Sequence, residues 1–306
     1  MTDVGNDASR DAPSFRSGFV ALVGPPNVGK STLLNRIVGK KTAIVSPKPQ
    51  TTRNRILGIL HGEGFQIVFM DTPGIHRTRT ALHRSMVASA CEACQEVDLV
   101  AVMIDRGWPD DPDAPLILSQ LRQTRTPAIL VINKIDTGPR ETLLPIMAAY
   151  GKRHPFEAVV PVSALNGEGV DTLIQEIRDR LKTGPRFFPD DMDTDQSEFF
   201  LAAEIIREKV FMETRKEIPY SVAVTVDAME ERARSGMLYI AARIHVETPS
   251  QKKILIGQGG RVIKSIGEKA RMDLEKRFAG RVFLDLVVRV DKNWSRDTRA
   301  LRRLGY

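Results

Sequence analysis

Apolar residues in the first part of the chain cluster into short unbroken runs at 19–23, 67–70, 99–104, 128–132 and 158–162. A run without polar alternation suits a strand covered on both faces, the habit of parallel sheets. Helical patterns separate several of these runs, as at 32–38 and 85–96, so the spacing predicts a doubly wound, mostly parallel α/β sheet. The stretch 55–60, the turn Gly62-Glu63-Gly64 and the stretch 65–70 predict a hairpin that adds one antiparallel strand.

The pattern breaks at Gly184-Pro185. Residues 185–197 carry Pro189 and the acidic Asp190, Asp191, Asp193 and Asp195, a composition that predicts an exposed linker. Beyond it, 198–306 reads as an α+β unit. A long helix over 198–217 is stopped by Pro219, and strands follow at 221–228 and 237–246. Next come a Gly-rich loop and a helix with Ile263, Ile266, Ala270 and Leu274 on one face. A strand at 283–290 and a basic helix over 295–304 end the chain. The first unit spans 15–184. Residues 1–14 are polar and acidic, lack the basic and apolar regions of a secretory signal, and predict a disordered tail.

Composition narrows the class. Hydrophobic residues are 42% of 306, enough for sizeable cores, and no apolar run nears the roughly 18 residues of a membrane span. Cys91 and Cys94 form a lone C-x-x-C inside a helical pattern and read as small helix residues of a disulfide-free cytosolic chain. The net charge of +7 is uneven: 248–306 holds 15 Lys/Arg against 6 Asp/Glu, so everything before it sums to −2. Such an excess suits docking of a polyanion, with a merely solvated basic face as the alternative.

Candidate chemistry begins at Gly24-Pro25-Pro26-Asn27-Val28-Gly29-Lys30-Ser31, which satisfies G-x-x-x-x-G-K-[ST] between a strand and the helix opening at Thr32. Backbone N–H groups there face phosphates, Lys30 reaches the β- and γ-phosphates, and Ser31 can ligate Mg²⁺. Asp71-Thr72-Pro73-Gly74 ends a strand, placing a carboxylate for Mg²⁺ and a glycine amide for the γ-phosphate. Asn133-Lys134-Ile135-Asp136 ends another strand and selects the base. Asp136 accepts from N1–H and the amine of guanine, whereas adenine would leave it buried and unpaired. Asn133 braces the loop and the Lys134 stem can lie on the base. Ser163-Ala164 brings a backbone N–H toward guanine O6. GTP or GDP, rather than ATP, is the expected ligand.

These four elements resemble the TRAFAC class of GTPases, and together with Pro49-Gln50-Thr51-Thr52-Arg53 and Ile75-His76 they resemble the Era family. Pro25 departs from the arginine common in that family. The resemblance implies Thr52 as a second hydroxyl on Mg²⁺. It also implies Asn27 as a ligand for K⁺, although a simple loop-bracing amide fits Asn27 as well. Ile75 stands where Ras-like enzymes carry a water-orienting glutamine, so slow intrinsic turnover is expected, with K⁺ or bound RNA as accelerator. A scaffold that binds GTP and barely hydrolyses it is the competing reading.

In the second unit, Ile256-Gly257-Gln258-Gly259-Gly260-Arg261 contains the G-x-x-G loop of a KH domain, with Lys252, Lys253, Arg261 and Lys264 as phosphate contacts. The element order resembles a type II KH fold and extends the Era resemblance over nearly everything after the tail. That resemblance implies a monomer that binds small-subunit rRNA near its 3′ end and assists assembly of the small ribosomal subunit. It further implies a cytoplasmic location with some peripheral membrane contact through the basic terminal helix.

Overall fold

The structure, a computed structural model, describes residues 15–49, 51–75, 81–106, 113–232 and 236–306. The expected tail at 1–14, Gln50 and His76 lie outside them.

The first unit contains β1 (Arg16–Val23), α1 (Lys30–Val38), β2 (Ile56–Gly62), β3 (Phe65–Asp71), α2 (Ala81–Ala93) and β4 (Leu99–Ile104). It continues through α3 (Ala114–Thr124), β5 (Ala128–Ile132), α4 (Leu143–Gly151), β6 (Ala158–Pro161) and α5 (Val170–Arg180). The strands form one sheet in the order β2-β3-β1-β4-β5-β6. All neighbours run parallel except β2 with β3, the hairpin predicted from the Gly-rich turn. Every residue of β4 and β5 is buried, because apolar clusters cover both faces of the sheet. Cys94 belongs to one of these clusters, where burial pushes its thiol up to about 12, and both cysteines are free thiols.

The second unit contains α6 (Glu198–Glu213), β7 (Ala223–Arg232), β8 (Met237–Val246), α7 (Pro249–Ile256), α8 (Arg261–Phe278), β9 (Val282–Val290) and α9 (Thr298–Arg303). Its sheet runs β7-β8-β9, with β8 and β9 parallel, and one apolar cluster joins α6, α7 and α8 to it. Ile266, Ala270 and Leu274 are buried there as the spacing required, and Ile263 is partly covered. Helix α6 ends at Glu213, short of the predicted 217, and Pro219 instead opens a short 3₁₀ turn.

The second unit and the segment before it differ from expectation in further details. A helix, α7, precedes the Gly-rich loop where none was predicted; a capping box between Thr248 and Gln251 and Pro249 in its first turn start it. The acidic segment 185–197 is mostly exposed, as its composition predicted, with Thr194 buried, and its backbone is in addition tied along β2. Gln66 Oε1 accepts from Phe187 N and Phe188 N at 2.8 and 3.1 Å, Ile59 N donates to Asp193 O at 3.0 Å, and Thr194 Oγ1 donates to Leu57 O at 2.7 Å. The edge of the sheet is thereby covered. The terminal helix is shorter than expected, and its Ala300 and Leu301 are buried with Leu304, Trp294 and Met86 of α2. Its apolar side is therefore used between the units, leaving only basic side chains for a membrane. Among the described residues no helix is long and apolar enough to cross one.

Candidate nucleotide site and nucleic-acid interface

The carboxyl end of the first sheet collects the predicted site residues, as expected for an open α/β sheet. The loop after β1 wraps to Gly29, whose φ of 104° starts α1, so the first N–H groups of that helix face a cavity. The cavity is lined by Pro26, Asn27, Gly29, Lys30, Ser31, Thr32, Thr51, Thr52 and Gly74. Ile44, Val45 and Ser46 line it too, and no sequence motif marked them. Gly74 lies so close to the loop that a Cβ on it would sit 2.8 Å from Pro26 N.

Lys30 is buried, and its ammonium donates to Gly24 O at 3.1 Å and Pro25 O at 2.9 Å. Burial lowers its pKa to about 8 against the opposing pull of Asp71. An anion delivered there would stabilise the ammonium. Pro25 thus contributes its carbonyl, and a proline in that position costs the loop no contact of this kind.

Ser31, Thr52 and Asp71 converge. Ser31 Oγ donates to Asp71 Oδ2 at 2.6 Å and lies 2.8 Å from Thr52 Oγ1, which is itself 3.4 Å from Asp71 Oδ2. Asp71 is fully buried, and Oδ1 has no hydrogen-bond partner. Burial pushes its carboxyl up to about 6, opposed by Lys30 and by the two hydroxyls. Two hydroxyls and a carboxylate with an orphaned oxygen are hard donors that suit Mg²⁺. No cluster of three His, Cys, Asp or Glu exists among the described residues, so a cation here would take its other ligands from phosphate and water. Thr72 Oγ1 donates to Leu22 O at 2.8 Å, which fixes the turn toward Pro73. Ile75 is fully buried, and its N donates to Gly24 O at 3.1 Å, so its side chain faces the core rather than the cavity.

Asn27 (φ 62°) donates from Nδ2 to Pro47 O at 3.0 Å, a bracing contact between the phosphate loop and the segment 45–54. At the base end, Asn133 Nδ2 donates to Val28 O at 2.8 Å and Oδ1 accepts from Ala164 N at 2.9 Å. The N–H expected at guanine O6 therefore braces Asn133 in this structure. Ser163 Oγ donates to Asp136 Oδ1 at 2.6 Å, and Lys134 Nζ lies 3.0 Å from Asp105. Ile135 is buried beneath the loop. Arg106 is a contributor that the sequence did not reveal: it donates to Ile135 O at 3.0 Å and Gly138 O at 2.6 Å, holding the loop from outside.

In the second unit, α7, the loop Gly257-Gln258-Gly259-Gly260 and α8 form a helix–turn–helix edge. Gly257, Gly259 and Gly260 have φ of 72°, 61° and 78°, which favour glycine, and α8 opens with no side-chain cap on its N–H groups. Arg261 is positioned by Gln258, whose Oε1 accepts from it at 3.0 Å. Lys253 and Lys264 are exposed, Lys252 and Ile256 half-buried. Beside the loop, α8 and β9 enclose a groove lined by Ile263, Lys264, Gly267, Arg271, Leu284 and Leu286. It has an apolar floor and a wall that carries Lys264, Arg271 and the acidic Glu268. Gly267, Arg271, Leu284 and Leu286 were not singled out from sequence. The alternation of β9, with Leu284 and Leu286 two apart, was the available signal.

A family model described as 50S ribosome-binding GTPase matches residues 19–134, and a KH domain model matches 217–295. The GTPase Era of Syntrophus aciditrophicus is 51% identical over 292 residues, 95% of each chain. That of Geobacter metallireducens is 52% identical over 95% of this chain and 98% of its own. An Aquifex aeolicus Era variant bound to GDP·AlF4⁻ superposes with a TM-score of 0.92 at 41% identity, covering 95% of this chain and 99% of that one. An Era complex with MgGDPNP and nucleotides 1506–1542 of 16S ribosomal RNA gives the same TM-score, identity and coverage. With half its residues shared across both units, the chain belongs to the Era family of GTPases.

Proposed function

We propose that the chain hydrolyses GTP as a switch and that its nucleotide state governs binding of the second unit to small-subunit rRNA near the 3′ end, assisting assembly of the small ribosomal subunit. The observation that carries this reading is the joint presence, in one chain, of a cavity lined by Lys30, Ser31 and Thr52 at the start of α1 and a groove along α8 and β9 beside the glycine loop Gly257–Gly260. The relative crystallised with MgGDPNP and 16S rRNA supports both ligands.

Mg²⁺ would be held by Ser31 and Thr52, with Asp71 behind them, and would neutralise charge on the phosphate oxygens. Lys30 supplies a second positive charge, and the first N–H groups of α1 cradle the phosphates. Asp136, oriented by Ser163, reads the guanine edge, and Asn133 keeps that reader in register with the phosphate loop. Ile75 cannot orient water, so turnover is slow until something else completes the site. K⁺ at Asn27 and bound RNA are the two accelerators we propose.

Setting and assembly follow from the same reading. The protein acts in the cytoplasm as a monomer on ribosomal particles, and any peripheral membrane contact uses the exposed arginines of α9 and its flanks. The test is RNA affinity. An oligonucleotide of the small-subunit rRNA 3′ end should bind the full chain more tightly with a non-hydrolysable GTP analogue than with GDP. Equal affinity in the two states would remove the switch from the account.

A further inference from the structure

The segment 45–54, which brings Thr52 to the metal corner, is held as much by the second unit as by the first. Val45 N donates to Glu208 Oε1 at 3.0 Å, Lys48 donates to Phe211 O and Thr214 O, and Arg207 donates to Thr51 O at 2.7 Å. The densest contact is Arg53, the residue next to Thr52. It is 5% exposed, and its hydrogen-bond partners among the described residues are backbone carbonyls and the Tyr306 hydroxyl, which lies 3.4 Å from Nη1. Its guanidinium donates to Val222 O at 2.7 Å, Tyr220 O at 3.0 Å and Pro219 O at 3.2 Å. Three rings enclose it, with centroids at 5.3 Å for Tyr306 and 5.8 Å for Phe211 and Trp294. Trp294 stacks on Tyr306 and donates from Nε1 to Ser221 O at 3.1 Å, so the socket is itself braced. A buried arginine satisfied by carbonyls and aromatic faces needs this geometry as a whole, because a lysine offers neither the fork nor the flat face.

We infer that Arg53 is the positioning residue that couples the two units: a socket built entirely by the second unit holds Arg53, and Arg53 in turn fixes Thr52 beside Ser31 and Asp71. Segments of this kind in switch GTPases are ordered by contacts to the γ-phosphate and its metal and released on hydrolysis. A contact that orders Thr52 therefore favours the triphosphate over the diphosphate. The second unit, which touches no nucleotide, sets part of that preference. By reciprocity the triphosphate stabilises the socket and the placement of the units around it. The inference rests on the reading of Thr52 as a metal ligand, and its test does not involve RNA.

The experiment measures, on the full chain in Mg²⁺, the affinity ratio between a non-hydrolysable GTP analogue and GDP. Arg53→Lys and Tyr306→Ala should each lower that ratio roughly fivefold or more, with GDP affinity within about twofold of the parent. Tyr306→Phe, which keeps the ring and removes only the long 3.4 Å contact of the hydroxyl to Arg53, should stay within about twofold of the parent ratio. Tyr239→Ala, on a surface away from the socket, should leave it unchanged. An unchanged ratio in both socket variants, or equal loss for the two nucleotides, overturns the inference. Thr52→Ala separates the two levels of the argument. If it lowers the ratio while the socket variants do not, the coupling role fails alone. If it too leaves the ratio unchanged, the metal role of Thr52 and the coupling fail together.

Discussion

Asn133, at the end of β5, donates to Val28 O at 2.8 Å and so joins the base-reading loop to the phosphate loop across 105 residues of chain. On the proposed reading, the loops that hold guanine and phosphate are therefore linked directly to each other. A Cβ on Gly29 would lie 2.3 Å from Asn133 Nδ2, and the φ of 104° at Gly29 already disfavours a side chain. Gly29→Ala is expected to weaken GTP and GDP alike by about tenfold or more, measured by calorimetry, with the fold kept by circular dichroism. Loss confined to GTP would contradict this link.

Base selection gives the second prediction. Asp136, oriented by Ser163 at 2.6 Å, should on replacement by Asn exchange its preference for guanine for one for xanthine, whose O2 accepts from the new amide. A penalty for GTP of roughly 1–3 kcal/mol is expected, and XTP should compete with labelled GDP only in the variant. Undiminished GTP binding would show that another residue reads the base.

The sheet and the phosphate loop were legible because each rests on local signals: unbroken apolar runs for β4 and β5, and a glycine-lysine spacing for the turn before α1. The terminal region was legible in its charge and its glycine loop, but not in its docking. Ala300 and Leu301 look like a short amphipathic stretch, and only the position of Met86 and Trp294 shows what they cover. The contacts of Arg53, quoted above only as part of a motif, and of Arg106 were not legible for the same reason. Their partners are backbone carbonyls far along the chain, and carbonyls leave no trace in a sequence. The attachment of the linker was not legible because its composition describes side chains, whereas Gln66 and β2 hold its backbone.

Asp273, paired with Lys41 of the first unit and Lys209 of its own, supplies a pH dependence. Asp273 lies 2.7 Å from Lys41 Nζ and 2.5 Å from Lys209 Nζ. Burial pushes its carboxyl up, the two ammonium groups more than offset this, and the net shift is downward from 3.8. A depressed carboxylate contributes stability that is fully present above pH 4 and is lost as pH falls through the folded value. Asp273→Asn should cost about 1 kcal/mol at pH 7, and the difference from the parent should shrink as pH falls below about 4 in denaturant titrations. A difference that persists unchanged in acid would assign the effect to packing.

The glycine loop gives a fourth prediction. A side chain on Gly257 would place Cβ 2.6 Å from Val262 Cγ2, and an aspartate would add repulsion to phosphate. Replacing Gly257 and Gly260 together by Asp should abolish binding of the rRNA oligonucleotide in gel-shift titrations while nucleotide affinity stays within about twofold. RNA binding with its ordinary salt dependence would move the contact surface elsewhere.

The most direct test of the switch account is the rate of GTP hydrolysis by the full chain in potassium and in sodium buffer, with and without an oligonucleotide of the small-subunit rRNA 3′ end. The account predicts slow turnover alone, as the buried Ile75 implies, a clear rise with the oligonucleotide, and a further rise in potassium. A rate that stays low under all four conditions while GTP and RNA both bind tightly would contradict it and make the chain a nucleotide-binding RNA scaffold.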